Sequence, residues 1–233
     1  MHLPEHDLSH DPAAQRRADR RRLLRAFNAS LAGVLLLAAV YSAQGLFDAG
    51  AWAVMPWSAA GLRGLFAAPL LHGSAAHLAG NAVALLMLGT LAGSVYPRAT
   101  VRALPLLWLG SGLAAWTLGE AGSRHLGFSG VNHGLAFLVF ALALLRRDRA
   151  AIAAAMLAFA FYGGMLLTVL PREAAVSWQS HLGGAAAGVL AAFLFRRVDP
   201  SPPRKRYSWE LEEEAADEEG DGTAADPPSA RLH

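Results

Sequence analysis

Between Phe27 and Phe195 the charged side chains are confined to short breaks: Asp48, Arg63, Arg98 with Arg102, Glu120 with Arg124, Arg146 through Arg149, and Arg172 with Glu173. The segments between these breaks are apolar and approach the roughly 20 residues that a bilayer-crossing helix needs. A soluble helix would carry charge along one face throughout, so this pattern excludes an ordinary soluble bundle. Hydrophobic residues make up 54% of the chain and the mean hydropathy is +0.31, in agreement. The chain reads as an all-α, polytopic membrane protein. It has no cysteine, which removes disulfides, thiolate metal sites and cysteine nucleophiles from consideration. A net charge of +2 is the balance of a basic start and an acidic tail, and gives no footprint for nucleic acid.

Residues 1–26 form a basic tail that ends in Arg16, Arg17, Arg20, Arg21, Arg22 and Arg25. This charged stretch is long for a secretory signal peptide, so Phe27 to about Phe47 reads as a retained first span. Trp52, Pro56 and Trp57 suit a loop at the membrane interface, where indole rings anchor. Further spans are expected from about Leu70 to Tyr96, Ala103 to Leu118, Gly127 to Leu145, Ala151 to Leu170 and Val176 to Phe195. Residues 27–197 would then be a six-helix membrane domain, and 198–233 a disordered tail, basic and then acidic. Alternating the spans puts nearly all Lys and Arg on the side of the termini, leaving only Arg63, Arg124 and Arg172 opposite. Both termini are therefore expected in the cytoplasm.

That orientation brings the starts of the second, fourth and sixth spans to the outer face, and those starts hold the polar residues. Polar groups inside spans are costly and point to function. Ser129 and Asn132 open the fourth span, about a turn deep, and His181 lies about a turn into the sixth. His77 and Asn81, spaced i, i+4, share one face of the second. Gly130-x-x-x-Gly134 and Gly184-x-x-x-Gly188 let the fourth and sixth spans approach closely enough for a serine to reach a histidine. A histidine base activates a serine at neutral pH, and the oxyanion that follows needs donors fixed in advance. Ser129 offers a backbone N–H, and Asn81 and His77 side-chain donors. With Glu120 and Glu173 in turns, no carboxylate is placed to orient His181, so the expectation is a dyad.

Three segments resemble the motifs of the rhomboid intramembrane serine proteases: Gly127-Phe128-Ser129-Gly130, His181 through Gly188, and His72 through Asn81. The similarity runs in order from about Leu65 to Arg197. It implies a six-helix rhomboid-like bundle, without cofactor or metal, that cleaves transmembrane or membrane-anchored proteins at a cavity open to the outside. The implied setting is the lipid bilayer of a bacterial inner membrane. Residue by residue, Ser129 is the implied nucleophile, His181 the base, and His77 and Asn81 the oxyanion donors. Gly127, Gly130, Gly184 and Gly188 are supporting positions, and His72 is structural. His133 stands where the family usually carries an aromatic ring packed on the catalytic histidine, and an imidazole can stack there while also titrating. A rhombosortase-like trimming of C-terminal anchors fits the small size. Rival readings are an inactive rhomboid-like protein that binds transmembrane helices, and a metal site built from His72, His77, His133 and His181.

Overall fold

The computed structural model describes residues 12–147, 167–171 and 176–200, with a few further positions between 152 and 164. Helix α1 spans Pro12–Ala43, the single turn α2 Gly64–Ala67, α3 Ala75–Val95, α4 Pro97–Leu118, α5 Ser129–Arg146 and α6 Trp178–Phe195. Among the described residues four helices are long and apolar enough to cross a membrane, beginning at Arg16, Ala75, Pro97 and Ser129. The chain is a multi-pass membrane protein. The other two expected spans stand differently. The fifth lies largely outside the described residues, and α6 opens on Trp178-Gln179-Ser180-His181, whose polarity lowers its mean hydropathy.

Helix starts shift from the expected positions for local reasons. α1 begins at Pro12, a residue suited to the first helical position, and runs through the arginines, which are good helix formers with no breaker among them. α3 begins only at Ala75, because Ser74 caps it by accepting from the His77 N–H at 3.1 Å. α4 starts at Pro97, since Tyr96 alone separates the two helices and caps the end of α3 and the start of α4.

α5 is the buried centre. Val131, Leu135, Leu138, Val139 and Leu142 are almost fully enclosed, and its principal neighbours are α6, α4 and α3. A helix that is apolar on all sides belongs in such a position. α1 packs mainly along α3, where Gly33 faces Leu85, Gly89 faces Ser30 and Gly93 faces Ala26. The arginine-bearing ends meet at one end of the bundle. There Arg146 donates to the carbonyls of Arg196, Asp199 and Pro200, and its guanidinium lies over Tyr96. The Asp199 carboxylate caps α4 by accepting from the backbone N–H groups of Arg98 and Ala99 at 3.0 and 2.9 Å.

At the opposite end, the loop after α1 is stitched to the loop before α5. Val54 and His125 exchange both backbone hydrogen bonds at 2.9 Å. The indole N–H groups of Trp57 and Trp116 donate to the carbonyls of Gly119 and Ser58, so these rings bind the loop to the end of α4. Trp57 nonetheless keeps 64% of its surface exposed. The Gln44 side chain clamps the His72 backbone through both its amide groups, at 2.9 Å each.

Candidate active site

The approach of α5 and α6 is set by glycine. A Cβ on Gly184 would land on the carbonyl oxygen of Gly130, and one on Gly188 on that of Gly134. A Cβ on Gly134 would in turn lie only 3.0 Å from the Gly184 carbonyl oxygen. Both expected small-residue pairs therefore face each other backbone to backbone. The consequence is reach: Ser129 Oγ lies 2.9 Å from His181 Nε2.

Ser129 was expected about a turn inside its span; it is instead the first residue of α5. Gly127 causes this. Its φ of +114° is open only to glycine, and its N–H donates to the Ala68 carbonyl at 2.9 Å, so the chain turns sharply before the helix begins. The backbone N–H groups of a first turn have no partner within their own helix, which leaves that of Ser129 facing outward.

The same glycine brings His77 and Asn81 to the site. A Cβ on Gly127 would meet His77 Nε2 at 2.7 Å and Asn81 Nδ2 at 3.5 Å, so both groups lie against the backbone just ahead of Ser129. Asn81 is 5% exposed, and its Nδ2 has no hydrogen-bond partner among the described residues. Asn132 fixes which way that amide points, since its own Nδ2 donates to the Asn81 carbonyl at 3.1 Å and toward Asn81 Oδ1 at 3.4 Å. With Oδ1 engaged, the donor end is left against the backbone at Gly127.

His133 stacks on His181, as the sequence suggested an imidazole could at this position. A residue that sequence reasoning missed joins the two rings. Thr168 Oγ1 lies 3.0 Å from His133 Nε2 and 3.1 Å from His181 Nδ1, and the Thr168 carbonyl is also 3.1 Å from His181 Nδ1. A carbonyl only accepts, so His181 Nδ1 carries the proton and Nε2 presents its lone pair to Ser129. His133 Nδ1 is 2.8 Å from the Ser129 carbonyl and must donate there, so its neutral ring accepts at Nε2 from Thr168. The hydrogen bonds close into one circuit, Ser129 to His181 to Thr168 to His133 and back to Ser129, with every donor in the same sense. These tautomers follow from the partners each ring meets.

A cavity of about 910 Å³ opens beside this group, lined among others by Ser129, His181, His77, Trp178 and Arg124. His125, on its rim, was not singled out from the sequence. It bridges Ser123 Oγ at 2.9 Å and Ser177 Oγ at 2.7 Å, and Ser177 caps α6, so His125 ties the loop before α5 to the start of α6. Burial holds its imidazole below the usual pKa, keeping it neutral and able to bridge. His72 does not reach the serine; it sits behind His77, ring centroids 5.1 Å apart in an edge contact.

Comparison with known proteins adds the lineage. The family model described as "Rhomboid domain" matches residues 59–198. Uncharacterized proteins of Mycobacterium bovis and Mycobacterium tuberculosis are each 36% identical over 160 residues, covering 65% of this chain and 65% of the relative. One of Mycobacterium leprae is 39% identical over 153 residues, covering 62% of this chain and 59% of that protein. The matched region thus spans about two thirds of those relatives at most.

Proposed function

The chain belongs to the rhomboid family, a family of intramembrane serine proteases, and from that premise we propose that it is an active serine endopeptidase cutting membrane-anchored proteins. The 2.9 Å contact between Ser129 Oγ and His181 Nε2 at the cavity, with the unengaged Asn81 amide against the backbone just ahead of Ser129, carries this reading.

In the proposed reaction Ser129 Oγ attacks the carbonyl carbon of the scissile peptide bond while its proton passes to His181 Nε2. The carbonyl π electrons move onto oxygen, forming an oxyanion that the Ser129 N–H, Asn81 Nδ2 and the His77 ring stabilise. Collapse of this intermediate breaks the C–N bond, and the leaving amine takes the proton from His181. Water then attacks the acyl-serine ester, giving one proton to His181, and the carboxylic acid product departs as Ser129 regains its proton. Thr168 supports the charged state of His181 by keeping an acceptor on Nδ1 throughout.

The arginine-rich end of the bundle supports cytoplasmic termini, with the cavity opening on the opposite side of the membrane and six spans in all. Substrates would be proteins whose anchors bring a peptide bond to that depth. The direct test is cleavage of a membrane-anchored reporter by purified protein in liposomes. Wild type cuts it; Ser129→Ala and His181→Ala do not, with unchanged thermal unfolding. Cleavage by Ser129→Ala at the wild-type rate would overturn the assignment.

A further inference from the structure

A second cavity, about 660 Å³, lies between α1, α3 and α4 and plays no part in the proposed chemistry. We propose that it is a binding site for one anionic phospholipid of the leaflet at the arginine-rich end. Its origin is the packing of α1. Small residues draw that helix onto α3, at Gly33, Gly89 and Gly93, and leave a slot on the side facing α4.

The two ends of the slot differ in chemistry. One is lined by Arg22, Arg25 and Arg98, the other by Leu37, Trp108 and Phe128. Arg22 is engaged by Asp19, whereas the guanidinium groups of Arg25 and Arg98 pair with no carboxylate among the described residues and donate there only to the Arg21 and Val198 carbonyls; Asp199 meets Arg98 through the backbone N–H alone. Basic pockets between helices on this side of a membrane select anionic headgroups. Thr100 supplies an independent observation. It lines the slot, is 7% exposed, and its hydroxyl has no hydrogen-bond partner among the described residues. A buried hydroxyl of that kind is costly unless a ligand satisfies it, and a glycerol-ester carbonyl just below a phosphate does so.

The dimensions favour a lipid over a helix. From Arg25 to Leu37 the slot follows α1 for about 18 Å, close to the roughly 15 Å of one leaflet's hydrocarbon. Spread over that length, about 660 Å³ is a mean cross-section of about 37 Å², wide enough for an acyl chain and about half that of a helix about 10 Å across. Phe128, at the deep end, packs edge-on against Trp108 with centroids 5.8 Å apart and directly precedes Ser129. A bound acyl chain therefore bears on the residue that leads into the serine. This link to activity rests on the protease reading; the binding itself does not.

Trp108 provides the probe. Ser129→Ala protein is placed in phosphatidylcholine nanodiscs containing acyl-brominated phosphatidylglycerol or acyl-brominated phosphatidylcholine over the same series of mole fractions. The Trp108 contribution to quenching is the difference from a Trp108→Phe background. The expected result is half-maximal Trp108 quenching at a mole fraction at least threefold lower for the anionic lipid. Arg25→Gln with Arg98→Gln should remove that preference, and Thr100→Val should weaken it. Equal quenching by the two lipids, an unaltered preference in the double variant, or loss of the preference on adding millimolar inorganic phosphate would each overturn the site. Cleavage by the Ser129-containing protein should rise at least twofold with the anionic fraction, and a flat rate alongside selective quenching would overturn only the link to Ser129.

Discussion

His133 lies face to face with His181, ring centroids 3.9 Å apart and planes 14° from parallel, and the same threonine, Thr168, engages both imidazoles. The stack fixes the plane of His181 and the hydrogen bonds fix its rotation. The two constraints can be separated by substitution. His133→Phe or His133→Tyr should keep substantial activity, because either ring can stack on His181. His133→Ala should lose most activity. Thr168→Val, which keeps the carbonyl and removes the hydroxyl, should lower kcat about tenfold at unchanged KM, the worth of one well-aligned hydrogen bond. Thr168→Ser should recover most of it. Parallel losses in kcat and thermal stability, without rescue by serine, would reduce Thr168 to packing.

Asn81 is the donor most exposed to test, because its Nδ2 has no other duty among the described residues. Removing one oxyanion donor typically costs about a hundredfold to a thousandfold in kcat. Asn81→Ala should fall in that range with KM little changed. Asn132→Ala, which frees the amide to rotate, should show a smaller loss in the same parameter. An Asn81→Ala enzyme at wild-type rate would mean that the oxyanion is held elsewhere.

The contact between α5 and α6 leaves no room for a methyl group at Gly184, whereas nothing lies within 4 Å of a Cβ on Gly80. Gly184→Ala should force the helices apart, break the 2.9 Å contact between Ser129 and His181, and destabilise the protein by about 1–3 kcal/mol. Gly80→Ala should be neutral in both respects. Circular dichroism melting and cleavage rate, measured on the same samples, give the comparison.

His72 makes a prediction about pH. Burial, reinforced by His77, lowers its pKa from 6.5 to about 4, and neither ring nitrogen has a hydrogen-bond partner among the described residues. The folded protein therefore holds His72 neutral while the unfolded chain protonates it. Stability from this group is complete above pH 6.5 and is lost as pH falls from there toward 4, by up to about 3 kcal/mol. The unfolding temperature should drop between pH 7.5 and 5, and His72→Leu, with no proton to accept, should drop less. An equal drop in both proteins would assign the effect to other groups.

The serine, its histidine and the two oxyanion candidates were legible in the sequence because each sits in a short motif at a helix start. The paired glycines also announced how closely two of those helices approach. Thr168 was not legible. A lone threonine near the end of an apolar run has no spacing that links it to residues 13 and 35 positions away, and the fold alone makes the connection. Asp199 was missed for a related reason. It falls in a stretch read as the start of a disordered tail, yet its carboxylate caps α4 from about a hundred residues away. The start of the Ser129 helix was placed two residues early, at Gly127, because the period of an apolar helix does not show where a left-handed glycine ends the preceding loop.

The glycine contacts between α5 and α6 have one more effect, on how the protein responds to the membrane around it. Bilayers differ in thickness, and a helix bundle adapts to mismatch chiefly by tilting. Two helices that touch main chain to main chain tilt as a single rigid body, so the reach from Ser129 to His181 does not vary with the lipid's acyl length. Thickness then acts on where along its anchor a substrate presents a peptide bond. Moving the protein between thin and thick bilayers should shift the cleavage position while the rate at a well-placed bond stays the same.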